Sequence, residues 1–109
     1  MNQTLYIDTS DSQKVRVGLE VGGKRVEKTS EAKHSSAQMV LPMIEEILKE
    51  NKLKLIDIAE IQVNTGPGSF TGLRVGIAVA QTLGKLLNVP VNGKPAGETQ
   101  PTYQESKWE

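Results

Sequence analysis

The stretch of this 109-residue sequence whose residue types and spacing most suggest chemistry is Asn64-Thr65-Gly66-Pro67-Gly68-Ser69-Phe70-Thr71-Gly72. It runs from a strand end through a glycine-rich turn into a helix N-terminus. Unpaired amides and the positive end of a helix dipole meet at such a junction and suit an anion such as phosphate. The candidate anion-binding residues are Gly66 and Gly68 by their backbone, Ser69 and Thr71 by their hydroxyls, and Arg74 by its charge. No Gly-Lys-Ser/Thr follows the glycines, so this is not a nucleotide P-loop, and the glycine spacing is wrong for a dinucleotide fingerprint. The plainer alternative is a tight strand-to-helix turn in which Ser69 or Thr71 caps the helix.

Asp8-Thr9-Ser10 is the second candidate, since an aspartate at a strand end can hold a hydrated magnesium ion and hydroxyls can meet phosphate. An Asx-turn that merely shapes the chain reversal explains the same residues, and more simply. His34 is the one histidine and has no serine, cysteine or acid placed to make a catalytic set with it. It reads instead as part of a helix start. With no cysteine and one histidine, thiolate and multi-histidine metal sites are excluded, and no metal or cofactor is expected. Glu45, Glu46 and Glu50 read as a solvated helix face. Thirteen basic residues balance thirteen acidic ones, so no overall field draws the chain to nucleic acid or an anionic membrane. Any contact with RNA is expected to be indirect. The N-terminus lacks a basic-then-apolar signal pattern, and no apolar run reaches the ~18 residues of a membrane span. A cytoplasmic location is the expectation.

These candidates must be positioned by regular elements. Residues 4–8 read as a buried strand, and residues 15–21 alternate apolar Val15, Val17, Leu19 and Val21 with Arg16, Gly18 and Glu20. Gly22-Gly23 suits a primed hairpin turn, and residues 24–30 return as a polar edge strand. Ser35 and Ser36 are candidate caps for a helix whose stripe is Met39, Val40, Met43, Ile44, Ile47 and Leu48, with Pro42 inside it. A short helical turn at 55–58, a strand at 59–64, a helix over 73–87 and a brief strand at 89–91 follow. The order predicts an α/β fold: a mixed five-stranded sheet with two main helices, a single ribonuclease H-like lobe of the actin/Hsp70 type. The lobe occupies residues 1–93, and residues 94–109 form a flexible polar tail without periodicity.

The helices carry the more informative signal. The first has a methionine- and isoleucine-rich stripe. The second places Gly72, Gly76, Ala80 and Gly84 at every fourth position, a slim surface that another helix could approach closely. Packing on their own sheet accounts for part of this surface, and any excess marks a helical protein–protein interface.

Leu5-Tyr6-Ile7-Asp8-Thr9-Ser10, then His34-Ser35 with Leu41-Pro42-Met43-Ile44, then Gly66-Pro67-Gly68-Ser69-Phe70-Thr71-Gly72-Leu73-Arg74 closely resemble the TsaB (YeaZ) family over residues 4 to 93. The resemblance implies an accessory role in forming N6-threonylcarbamoyladenosine at position 37 of tRNA. In that family the subunit does not catalyse the transfer. It pairs with TsaD, the metal-dependent catalytic subunit, through the helices of their N-terminal lobes, and a TsaE ATPase joins them. Carried over, the pairing surface would use Met39, Val40, Met43 and Ile47 of the first helix and Arg74, Ile77, Ala78 and Gln81 of the second. Family members have a second lobe of comparable size, and only the first is visible in this sequence. The reading from a different class is a stand-alone, homodimeric anion- or nucleotide-binding module.

Overall fold

In the computed structural model, residues 3–11, 13–31 and 37–95 are described. His34, the two proposed capping serines and residues 96–109 of the expected tail lie outside them.

β1 (Gln3–Asp8), β2 (Lys14–Val21) and β3 (Lys24–Glu31) form an antiparallel meander. Gly22 and Gly23 take φ of 58° and 82°, the positive pair that a primed turn requires. α1 (Ala37–Glu50) follows, then a 3-10 turn at Leu55–Asp57 leading into β4 (Ile58–Val63), which lies parallel to β1. α2 (Phe70–Leu87) completes the layer. The sheet order is β3-β2-β1-β4, with four strands where five were expected. Val91 makes only single bridges, to Ile61 and to Lys94. Pro90 has no N–H to extend the ladder, and Asn92 and Gly93 turn the chain back with φ of 52° and 79°. The mixed α/β lobe stands, and its fifth strand is reduced to a bridge.

Both helices cover one face of the sheet. Leu5, Ile7, Val15, Val17, Leu19, Ile61 and Val63 point into this layer and meet Val40, Ile44 and Ile47 of α1 and Leu73, Ile77 and Ala80 of α2. Lys28 ties β3 to α1, with its ammonium 3.0 Å from Glu50 and 3.6 Å from Glu46. α2 starts three residues earlier than its apolar periodicity indicates, because Ser69 caps it and the glycine-rich turn feeds the helix directly. Asn88, in the left-handed conformation, ends it.

This geometry corrects the expected use of the helix stripes. Val40, Met43, Ile47 and Ile77 are all buried within the chain's own core, and Met39 is half-buried against it. A stripe at i, i+3, i+4, i+7 is what a helix needs to sit on a sheet, and here the sheet uses it up. The glycines also face inward. A Cβ on Gly72 would collide with the Thr9 carbonyl oxygen, and one on Gly76 with Thr9 Oγ1. Gly72 and Gly76 let α2 approach the end of β1.

Candidate partner-binding site

The two sequence candidates for chemistry come together at the C-terminal end of β1. Asp8 Oδ1 accepts hydrogen bonds from the Ser10 amide (2.9 Å), the Ser10 hydroxyl (2.6 Å) and Asn64 Nδ2 (3.2 Å). Asn64 Nδ2 also donates to Ser10 Oγ at 3.2 Å, and its Oδ1 accepts from the Gly66 amide at 2.9 Å. Partial burial pushes the Asp8 carboxyl up, but the bonds from Ser10 and Asn64 and the charge of Arg16 outweigh it and hold it below the ordinary range. Thr9, fully buried, donates to the Gly72 carbonyl at 2.5 Å.

The glycine-rich turn commits its Gly66 and Ser69 amides to this knot, and the next amides cap the helix. Ser69 N–H donates to the Ser10 carbonyl (2.8 Å), Gly72 N–H to Ser69 Oγ (3.2 Å) and Leu73 N–H to the Ser69 carbonyl (2.8 Å). Gly68 lies against Ser10, where an added Cβ would come within 2.7 Å of that residue's Cβ. Thr71 and Arg74 are exposed on α2. Of the proposed anion-binding set, Gly66 and Ser69 therefore hold the turn together with their amides. The plainer capping alternative describes Ser69 well, and Asp8-Ser10 makes the expected Asx contact.

Arg74 and Ala78 of the expected pairing residues face outward, and Gln81 is half-buried. They belong to a surface that the strongest periodicity did not reveal. Phe70, Arg74, Ala78, Thr82 and Leu86 recur every fourth residue, and all five are exposed. They form one i±4 ridge along the outside of α2, the row by which helices most often pack. At its start the Arg74 guanidinium lies 5.4 Å from the centroid of the Phe70 ring, within cation–π range. At its end Leu86 is 72% exposed, a large apolar cost for a free surface.

Beside this ridge an apolar groove of about 470 Å3 runs between α1 and α2. Leu41, Ile44, Leu55, Val79, Leu83 and Leu86 line it, with Glu45 at its rim. Leu41 is 47% exposed, and Ile56, next to Leu55, is 78% exposed. A larger groove of about 640 Å3 lies between β3 and α1, where Met39 and Met43 meet Lys28 and Glu46. Its apolar floor is smaller and its mouth is spanned by an ion pair, so it is the less suited to a partner's apolar surface. Sequence reasoning missed this cluster because Leu41 and Ile56 each sit among other apolar residues, and Leu86 reads with Leu83 and Leu87 as part of one apolar side of the second helix. Only the fold makes neighbours of Leu41 and Leu86.

Among the described residues, no three histidine, cysteine, aspartate or glutamate side chains gather as a metal site would require. No helix there is long and apolar enough to cross a membrane.

The model of the family described as TsaD, tRNA N6-adenosine threonylcarbamoyltransferase, matches residues 26–93. The tRNA threonylcarbamoyladenosine biosynthesis protein TsaB of Haemophilus influenzae is 37% identical over 87 residues, 80% of this chain and 36% of that protein. TsaB of Buchnera aphidicola subsp. Baizongia pistaciae is 45% identical over 60 residues, 55% of this chain and 27% of its own length. Among solved structures, YeaZ from Pseudomonas aeruginosa superposes with a TM-score of 0.78 at 34% identity, covering 84% of this chain and 42% of that one. The chain thus spans well under half the length of these relatives.

Proposed function

Since the chain belongs to the TsaB (YeaZ) family, we propose that it is a non-catalytic accessory subunit in tRNA N6-threonylcarbamoyladenosine formation, pairing through α1 and α2 with a TsaD-like catalytic subunit. The observation that carries this reading is the α2 ridge with the groove beside it, which leaves Leu41, Phe70 and Leu86 exposed on one side of the lobe. Aromatic and arginine anchors with a central apolar patch are what a helical interface is built from. The pairing residues on this reading are Phe70, Arg74, Ala78, Thr82 and Leu86 of α2 and Leu41 of α1, in place of the buried Val40, Met43, Ile47 and Ile77.

The non-catalytic role follows the resemblance to TsaB, and the single histidine of this sequence supports it by leaving no multi-histidine metal set here. The partner supplies the chemistry, tRNA meets this chain only indirectly, and a TsaE-like ATPase joins the pair in the cytoplasm.

The test is size-exclusion chromatography with light scattering, with and without a TsaD-like subunit. A one-to-one complex that is lost in Leu86→Asp supports the reading. A chain that stays monomeric with the partner present overturns it, and a chain that only self-pairs favours the homodimer instead.

A further inference from the structure

We infer that Asn64 and Ser10 are positioning residues for partner binding: through the Asp8–Ser10–Asn64 knot they fix the first turn of α2, and with it the Phe70–Arg74 pair, in its binding orientation. This rests on the pairing reading above and adds residues that lie outside the α2 ridge.

The chain of contacts is short and directional. Asn64 emerges from the end of β4, where its amide donates to the Ile7 carbonyl at 3.0 Å. Its side chain reaches Asp8, Ser10 and the Gly66 amide at once. Ser10, so held, presents its carbonyl to the Ser69 amide at 2.8 Å. Ser69 is the cap of α2, and Phe70 is the next residue. Two stretches distant in sequence are therefore joined here: Asp8 to Ser10 at the end of β1, and Asn64 to Ser69 between β4 and α2.

The need for such a clamp is physical. A helix N-terminus frays readily because its first amides have no intrahelical partner. The Phe70 ring and the Arg74 guanidinium lie within the first two turns of α2, where fraying is greatest, and both are exposed. A stacked anchor pair binds well only if its orientation is set before the partner arrives, because ordering it on binding subtracts from affinity. The core holds the inner side of α2 through Leu73, Ile77, Ala80 and Leu83, so the knot bears on its outward first turn and Leu86 does not depend on it.

The experiment is a double-mutant cycle on pairing with a TsaD-like subunit, measured by calorimetry well below each variant's unfolding temperature. Asn64→Ala is expected to weaken pairing about tenfold, and Ser10→Ala by a smaller factor, as several hydrogen bonds that orient the anchor are lost. In an Arg74→Ala chain, Asn64→Ala is expected to cost clearly less than in the native chain, because the guanidinium of the pair it orients is already gone. A general loss of stability would instead weaken both backgrounds alike. Native affinity in Asn64→Ala, or a loss that simply adds to that of Arg74→Ala, overturns the inference while pairing itself stands. If the native chain does not pair, or pairs as well with Leu86→Asp as without it, the underlying reading has failed instead.

Discussion

Replacing Gly76 by alanine would stabilise an ordinary exposed helix by about 1 kcal/mol, since glycine is the poorer helix former by that amount. At this position the opposite is expected. The new Cβ would collide with Thr9 Oγ1 and touch Ile7 Cγ2 at 3.5 Å, in a region where Thr9 is fully buried. Overpacking of this kind costs about 1–3 kcal/mol. If Thr9 rotates away, its bond to the Gly72 carbonyl is lost, at about 1 kcal/mol or more for the buried acceptor left behind. The sum is a net loss of about 1–3 kcal/mol, or roughly 10 °C in melting temperature for a domain of this size. Gly72→Ala is expected to cost more, because its Cβ meets the Thr9 backbone oxygen, which cannot rotate aside. The two sites then separate in a cycle with Thr9→Ala. Removing the threonine hydroxyl makes room for the methyl group added by Gly76→Ala. It leaves the Thr9 backbone carbonyl facing the one added by Gly72→Ala, so only the Gly76 substitution is rescued. Urea unfolding followed by far-ultraviolet circular dichroism measures the native chain and each single and double variant. Stabilisation by both glycine substitutions would show that α2 stands off from β1, and equal rescue of both by Thr9→Ala would show that the contact has been assigned to the wrong atoms.

Met43→Glu and Val40→Glu bury an unpaired charge and are expected to destabilise the fold by several kcal/mol, seen as a lowered urea midpoint, instead of disrupting pairing alone. Ala78→Glu and Leu86→Asp alter exposed positions and are expected to leave the circular dichroism spectrum unchanged while weakening pairing at least tenfold in calorimetry. Asp8 titrates below its unfolded value, so its contribution to stability is fully present above the ordinary carboxylate range near pH 4 and is lost as pH falls through the folded value. Asp8→Asn is therefore expected to flatten the acid limb of a stability-versus-pH profile below about pH 4, and an unchanged limb would remove the carboxylate from the knot.

The order of elements was legible because period-2 alternation in β2 and the 3.6-residue stripe of α1 are strong, local signals. Gly22-Gly23 likewise announced its hairpin. The site was less legible, for two reasons. Met39, Val40, Met43, Ile47 and Ile77 carry the clearest apolar periodicity, and the sheet claims that periodicity first; what remains for a partner is the weaker residue pattern on the outside. The i±4 ridge on α2 mixes Phe70, Arg74, Ala78, Thr82 and Leu86, which share no chemical type and so leave no hydropathy pattern. The knot joins Asp8 to Asn64 across 56 residues of sequence. Spacing alone carries nothing about such a contact until β1 and β4 are known to lie side by side.

The two sides of the lobe differ in a way that bears on where a partner can sit. On the sheet face away from the helices, polar groups satisfy one another. Tyr6 donates to Glu20 at 2.9 Å, Arg25 stacks 3.8 Å over the Tyr6 ring, and Arg25 also pairs with Glu27 at 3.0 Å. These side chains close over Gly18, which is buried beneath them although it has no side chain of its own. Four large apolar side chains that are exposed, Val26, Leu41, Phe70 and Leu86, lie away from that face. Val26 stands opposite Leu19, a core residue, and so points to the helix side of β3, while Leu41, Phe70 and Leu86 are on the helices. The polar groups of this face already have partners, so covering it would desolvate charged groups that gain little in return. Covering the helix face removes apolar surface from water at about 25 cal/mol per Å2. On the pairing reading proposed above, this energetic asymmetry favours association through α1 and α2.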